Sequence, residues 1–315
     1  MCAMLPFGSR QLVFVAFLLG VMSGCAPARL LPASEFALTP GREHPLVGRV
    51  WSRTQSKLVP PEELLRELER APFVLLGETH DNLDHHRLQA HLLERWLTAH
   101  SGAAVVFEML DESQRAGLVS PAPATADELS ERVRWADHGW PDFDLYRPVF
   151  EAALRHRARI VPGHPARETF LAGMRGEPTP DDASLHLTPA ISGKERGAMV
   201  EEIRDAHCGH AAEGMIAPML RAQSFRDAWM ARALATSGGP ALLIAGRGHV
   251  RRDRAVPVFL ARQGITASLT VAFVDVDDAQ KDAQDYELSA FDFVVFTPRV
   301  SDESACDRFK HELAQ

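Results

Sequence analysis

Short apolar runs alternate along this chain with longer stretches whose apolar residues recur at helical spacing. Residues 73–76, 103–110, 159–162, 241–245, 268–274 and 291–296 read as buried strands, and 46–52 as a first strand. Leu88, Leu92, Leu93, Trp96 and Leu97 repeat at helical spacing and form the inner face of a helix over 84–99. Further helices are expected over 61–70, opened by Pro60 and Pro61, and over 148–156 and 255–263. Residues 137–146 mix polar and aromatic side chains with little periodicity, which reads as a loop. Strand, helix and strand in close succession is the pattern of a parallel crossover unit. The expected fold is α/β, a mostly parallel sheet flanked by helices. Residues 166–235, mostly helical in pattern, form a smaller helical subdomain inserted between two strands.

The chain opens differently. Arg10 precedes the apolar run 12–21, and Met22-Ser23-Gly24-Cys25 follows. A basic start, an apolar run too short to span a bilayer and small residues at the end define a secretory signal. Cys after Ser-Gly resembles a bacterial lipoprotein box, with Cys25 as the lipid-modified first residue. This divides the chain into a signal peptide (1–24), a lipid-anchored tether (25–45), the α/β domain (46–300) and a C-terminal tail (301–315). Ala26, which is not acidic, points to an outer-membrane anchor facing the periplasm.

Composition adds limits. Thirty-four basic against 42 acidic residues argues against nucleic acid as a partner, because phosphate binding needs a basic surface. Cys208 and Cys306 would pair in an oxidising compartment if the fold brings them together. Tyr146 and Tyr286 are the chain's two tyrosines.

The candidate chemistry gathers where strands end. Gly77-Glu78-Thr79-His80 and Gly246-Arg247-Gly248-His249 share the form Gly-x-x-His, Glu108 closes another strand, and His164 a fourth. In α/β proteins ligands bind beyond the carboxyl ends of the strands. Taken as neighbouring strands, the first two expected after residue 70 put Glu78 and Glu108 on one edge. Glu78, His80, Glu108 and His249 could hold a divalent metal or act as acid and base on a hydrolytic water. The plainer reading is that these groups only satisfy one another, as buried polar groups must. His207 and His210, flanking Cys208, lack a nearby fourth ligand and are read as structural or surface residues. Met215, Met219 and Met230 are read as core.

The blocks FVLLGETHDNLDHHRLQ, AVVFEML, WPDFDLYRPVFEAAL, HCGH, LRAQSFRDAWMA and LLIAGRGHVRRD, in that order behind a lipoprotein signal, resemble the ChaN family of haem-binding lipoproteins. That family belongs with the Tiki and TraB proteins and is related to the erythromycin esterases. The resemblance implies haem binding linked to iron acquisition, with a homodimer enclosing haem through tyrosine ligation. Tyr146, inside WPDFDLYRP, is the preferred ligand and Tyr286 the second candidate. A metal-dependent hydrolase using Glu78, His80, Glu108 and His249 is the competing reading.

Overall fold

Eight strands assemble into a single sheet in the computed structural model, which describes residues 29–119, 121–187, 191, 193–303 and 306–307. The strands are β1 (Val50–Ser52), β2 (Lys57–Val59), β3 (Phe73–Glu78), β4 (Ala104–Asp111), β5 (Arg159–His164), β6 (Ala241–Gly246), β7 (Leu269–Asp275) and β8 (Phe293–Thr297). The helices are α1 (Pro61–Arg70), α2 (Leu83–Ala99), α3 (Arg115–Leu118), α4 (Ala126–Arg132), α5 (Phe143–Arg155), α6 (Arg167–Arg175), α7 (Asp182–Leu185), α8 (Gly193–Ala206), α9 (Glu213–Ala235) and α10 (Val256–Arg262).

Strand order is β2-β1-β8-β7-β3-β6-β4-β5, parallel except for β1, which runs antiparallel to both β2 and β8. The expected α/β class and mostly parallel sheet are therefore observed. β3 and β6, at the centre, are buried along nearly their whole length, as continuous apolar runs in a sheet covered on both faces should be. Their register sets Glu78 opposite Gly246.

Three local readings change. β3 and β4 are not neighbours, because β6 inserts between them. Glu78 and Glu108 still share an edge, but with a third strand end between them. Residues 46–49 turn instead of extending, and the short β2, absent from the sequence reading, forms a hairpin with β1. The stretch around Tyr146 is helix and not loop. Asp142 caps α5 by accepting from the Asp144 N–H at 2.9 Å, and Pro148 lies inside the helix.

The helical subdomain consists of α6 to α9, with a small apolar cluster of its own in Met199, Ile203, Ile216 and Leu220. Met230 is core as expected and Met219 borders that cluster, but Met215 is exposed. Cys208, after α8, and Cys306 form a disulfide that ties the subdomain to the C-terminal tail. Residues 29–45 do not hang free as a tether. Phe36 is buried, and the Ala37 and Leu38 N–H groups donate to the Asp84 carboxylate at 2.7 and 2.9 Å. Residues 1–24 and Cys25 lie outside the described residues. Among the described residues no helix is long and apolar enough to cross a membrane.

Candidate functional site

Gly77 ends the side-chain run of β3 because a Cβ there would lie 2.3 Å from a Val250 methyl. The chain then turns, and Asn82 caps α2 by accepting from the Asp84 and His85 N–H groups. This turn sets His80 and His86 around the Glu78 carboxylate. The Tyr146 hydroxyl donates to Glu78 Oε1 at 2.9 Å, and His80 Nδ1 lies 2.8 Å from the same oxygen. His86 Nδ1 approaches Oε2 to 2.6 Å off the line of its N–H, so this is a charge contact and Oε2 has no aligned donor. Burial alone would raise the Glu78 carboxyl, but His86 and His80 hold it down to about 2. Burial opposes charge on both imidazoles as well, and Glu78 more than offsets it, so both lie above the ordinary value.

The β4 and β6 ends form a second group. Glu108 Oε2 accepts the Gly246 N–H at 2.7 Å, which bridges the two strand ends. His249 Nε2 lies 3.2 Å from Glu108 Oε1, and its Nδ1 lies 2.7 Å from Asp227 Oδ1 on α9. Against the cost of burial, Glu108 and Asp227 push His249 up to about 10. Burial also acts to raise Glu108, yet His249 and His80 hold it well below the carboxylate range, while Asp227 is left raised by burial. The two groups meet at Gly246, where a Cβ would lie 3.1 Å from His80 Nε2 and 3.6 Å from Glu108 Oε2. A larger residue there would push the His80 ring back by a few tenths of an ångström.

A cleft of about 440 Å³ opens over this edge, beneath α8 and α9. Glu78, His80, Glu108 and His249 all line it, so the structure brings together the four residues singled out at the strand ends. Their donors, however, face one another. Among the described residues no group of three or more His, Cys, Asp or Glu is arranged to hold a metal ion. The metal-ligand reading of these four residues is thus not carried by their geometry. His164, one strand beyond Glu108, contacts Phe170 and lines a neighbouring cavity of about 510 Å³. His207 bonds back to the Ile203 carbonyl at 2.7 Å, and His210 is exposed.

The two tyrosines are far from equivalent. Tyr146 is fully buried against His86 and Trp135, lines none of the described cavities, and donates to a charged carboxylate. Burial and the Glu78 charge push its hydroxyl far above the ordinary phenol value. Tyr286 is half-buried beside Phe296 and accepts the Asp277 N–H at 2.8 Å, and burial raises it too. It lines a cleft of about 950 Å³ with Lys194, Arg251 and Arg254.

Asp227 and His86 were not found from the sequence as site residues. Asp227 left only a weak signal, an acid followed by the apolar run Ala228, Trp229, Met230 and Ala231, all buried. His86 had only its adjacency to His85, another buried imidazole, which accepts the Thr79 N–H at 2.9 Å.

Comparison with known proteins agrees with this architecture. No curated protein sequence matches the chain. Among solved structures, ChaN of Campylobacter jejuni, described as binding haem cofacially, superposes with a TM-score of 0.64 at 19% identity. The match covers 78% of this chain and 95% of that one, and shows the shared fold. The type III effector HopBA1 is more distant, with a TM-score of 0.43 at 12% identity over 75% of this chain and 91% of that one. The erythromycin esterase EreC, in its open conformation, gives 0.37 at 15% identity over 84% and 86%. The family model described as haem-binding uptake, Tiki superfamily, ChaN matches residues 64–260, from α1 through β6 to α10, and the chain belongs to that family.

Proposed function

We propose that the protein binds ferric haem for haem and iron acquisition, held by a lipid on Cys25 to the outer membrane and facing the periplasm. Family membership supports haem as the ligand. The observation that carries the reading further is the place of Tyr286 on the wall of a large cleft. Ligand sites span roughly 300–1,000 Å³, and this cleft is about 950 Å³ and mixed in charge: Arg251 and Arg254 are paired with Asp253 and Glu202, and Lys194 is left at its edge to meet a propionate. A bound haem would bring ferric iron, for which a tyrosine oxygen is a suitable axial ligand. Ionising Tyr146 would set a phenolate against the buried Glu78 charge, so the geometry favours Tyr286, reversing the preference drawn from the WPDFDLYRP block. The Cys208–Cys306 disulfide suits an oxidising compartment such as the periplasm. A homodimer would follow if haem is enclosed between two copies.

Haem titration of the protein, followed by its visible spectrum, tests this. Tyr286→Phe abolishes the tyrosinate signature, and Tyr146→Phe leaves it in place. The opposite outcome returns the ligand to Tyr146, and a protein that takes up no haem ends the proposal. Light scattering with and without haem tests the homodimer.

One observation favours a second reading, acid–base hydrolysis. His80 is oriented through Nδ1 by Glu78, and its ring, 36% exposed, opens on the cleft. A base so placed can take a proton from a water. Hydrolysis of a model ester that is lost in His80→Asn would support it, and equal rates in both proteins would remove it.

A further inference from the structure

Three arginines line the cleft over the ends of β3 and β6, and they differ in what they bind. Arg254 is nearly buried and ion-paired to Glu202 and Asp253. Among the described residues, neither Arg226 nor Arg247 forms an ion pair. Arg226 reaches Gln223 Oε1 at 3.4 Å and lies over the Phe170 ring at 4.8 Å, and its Nε is buried with no hydrogen-bond partner. Arg247 makes one long contact, 3.5 Å from Nη1 to the Phe273 carbonyl.

Nearby acids do not satisfy them. Asp227 is engaged by His249 at 2.7 Å, and Asp275 by Asn82 at 2.6 Å and His85 at 3.3 Å. Glu78 and Glu108, the other strand-end acids of the cleft, are held by imidazoles and by the Gly246 N–H. The carboxylates of this edge thus take their hydrogen bonds from other groups, and although Asp227 and Asp275 feel the charges of Arg226 and Arg247, the two guanidiniums keep unused donors. A buried donor without an acceptor is costly, and a guanidinium fork matches the paired oxygens of carboxylate or phosphate.

We infer that Arg226 and Arg247 form an anion subsite in this cleft, which receives a carboxylate or phosphate group of a ligand lying beside His80. A haem propionate and a small free anion supply the same chemistry. Arg247 also borders a smaller cavity of about 290 Å³ that Tyr286 lines, whereas Arg226 lies away from both cavities of Tyr286.

The test uses the whole protein and its Arg226→Gln, Arg247→Gln and double variants. Inorganic phosphate is titrated by thermal shift, and haem and haem dimethyl ester by absorbance. The double variant is expected to need at least tenfold more of the responding anion than wild type. Arg226→Lys, which keeps the charge without the fork, should fall between them and guards against a loss caused by misfolding. A loss with haem but not with its dimethyl ester assigns the subsite to a propionate. A loss with phosphate, haem being unaffected, assigns it to a free anion. If phosphate binding depends on the arginines in a protein that takes no haem, the subsite stands and the haem reading falls. Equal binding of phosphate and haem by wild type and double variant, or no response of wild type to either, overturns the inference.

Discussion

Two strand ends share the form Gly-x-x-His, yet their charge arrangements are mirror opposites. At the end of β3 one carboxylate, Glu78, faces two imidazoles, His80 and His86. At the ends of β4 and β6 one imidazole, His249, faces two carboxylates, Glu108 and Asp227. Each half carries a surplus of the sign the other lacks, and they touch at Gly246. The difference decides what each histidine can do. His249 has both ring nitrogens committed and is nearly buried, so it is a fixed charge. His80 has one nitrogen committed and an open side, so it alone of the pair is free to exchange a proton with a ligand.

Removing Glu108 should break this comparison most severely. Glu108→Ala leaves the buried His249 imidazolium to Asp227 alone and strands the Gly246 N–H, and breaking a buried pair in this way costs about 3–5 kcal/mol. Urea unfolding measures it, and a loss below about 1 kcal/mol would mean that His249 simply discharges.

Titration separates the halves next. His249 is raised from 6.5 to about 10, so its contribution is complete below pH 6.5 and is lost as pH rises toward 10. Glu78 is lowered from 4.5 to about 2, so its contribution is complete above pH 4.5 and is lost as pH falls toward 2. Glu108 shares the acid limb, and the raised His80 and His86 share the alkaline one, so it is the His249→Asn variant that distinguishes the halves. Stability measured from pH 6 to 10 should decline in wild type and stay flatter in His249→Asn. Parallel curves would contradict the assignment.

Tyr146→Phe removes one donor from a charged acceptor, worth about 1.5–3 kcal/mol, with no cavity left behind. An unchanged unfolding midpoint would show that Glu78 is held by its histidines alone. His80→Asn should cost least, about 0–1 kcal/mol, because its side chain is over a third exposed. A loss as large as that of Glu108→Ala would make both halves structural and withdraw the role given to His80.

The contrast between the halves also marks what could be read from the chain alone. The apolar runs ending at Glu78, Glu108 and His249 announced strands with chemistry at their tips, because side chains of one strand are local in sequence. The placement of β6 between β3 and β4 was hidden, since strand pairing is decided by packing over the whole sheet. Asp227 was missed for a related reason, as its partner His249 is 22 residues away and on another element. Tyr146 was read as loop because residues 137–146 show little periodicity, whereas Asp142 caps a helix that begins there.

The Cys208–Cys306 bond makes the chain a lariat. It closes a ring over 98 positions that contains α9, β6, α10, β7 and β8, and so includes Asp227, His249 and Tyr286 but not Glu78 or Glu108. A single proteolytic cut inside that ring leaves one covalent molecule, which runs as a full-length band until a reductant is added. Asp227 and His249 are thereby protected against loss by nicking, and Glu78, His80, His86 and Glu108 rely on the sheet alone.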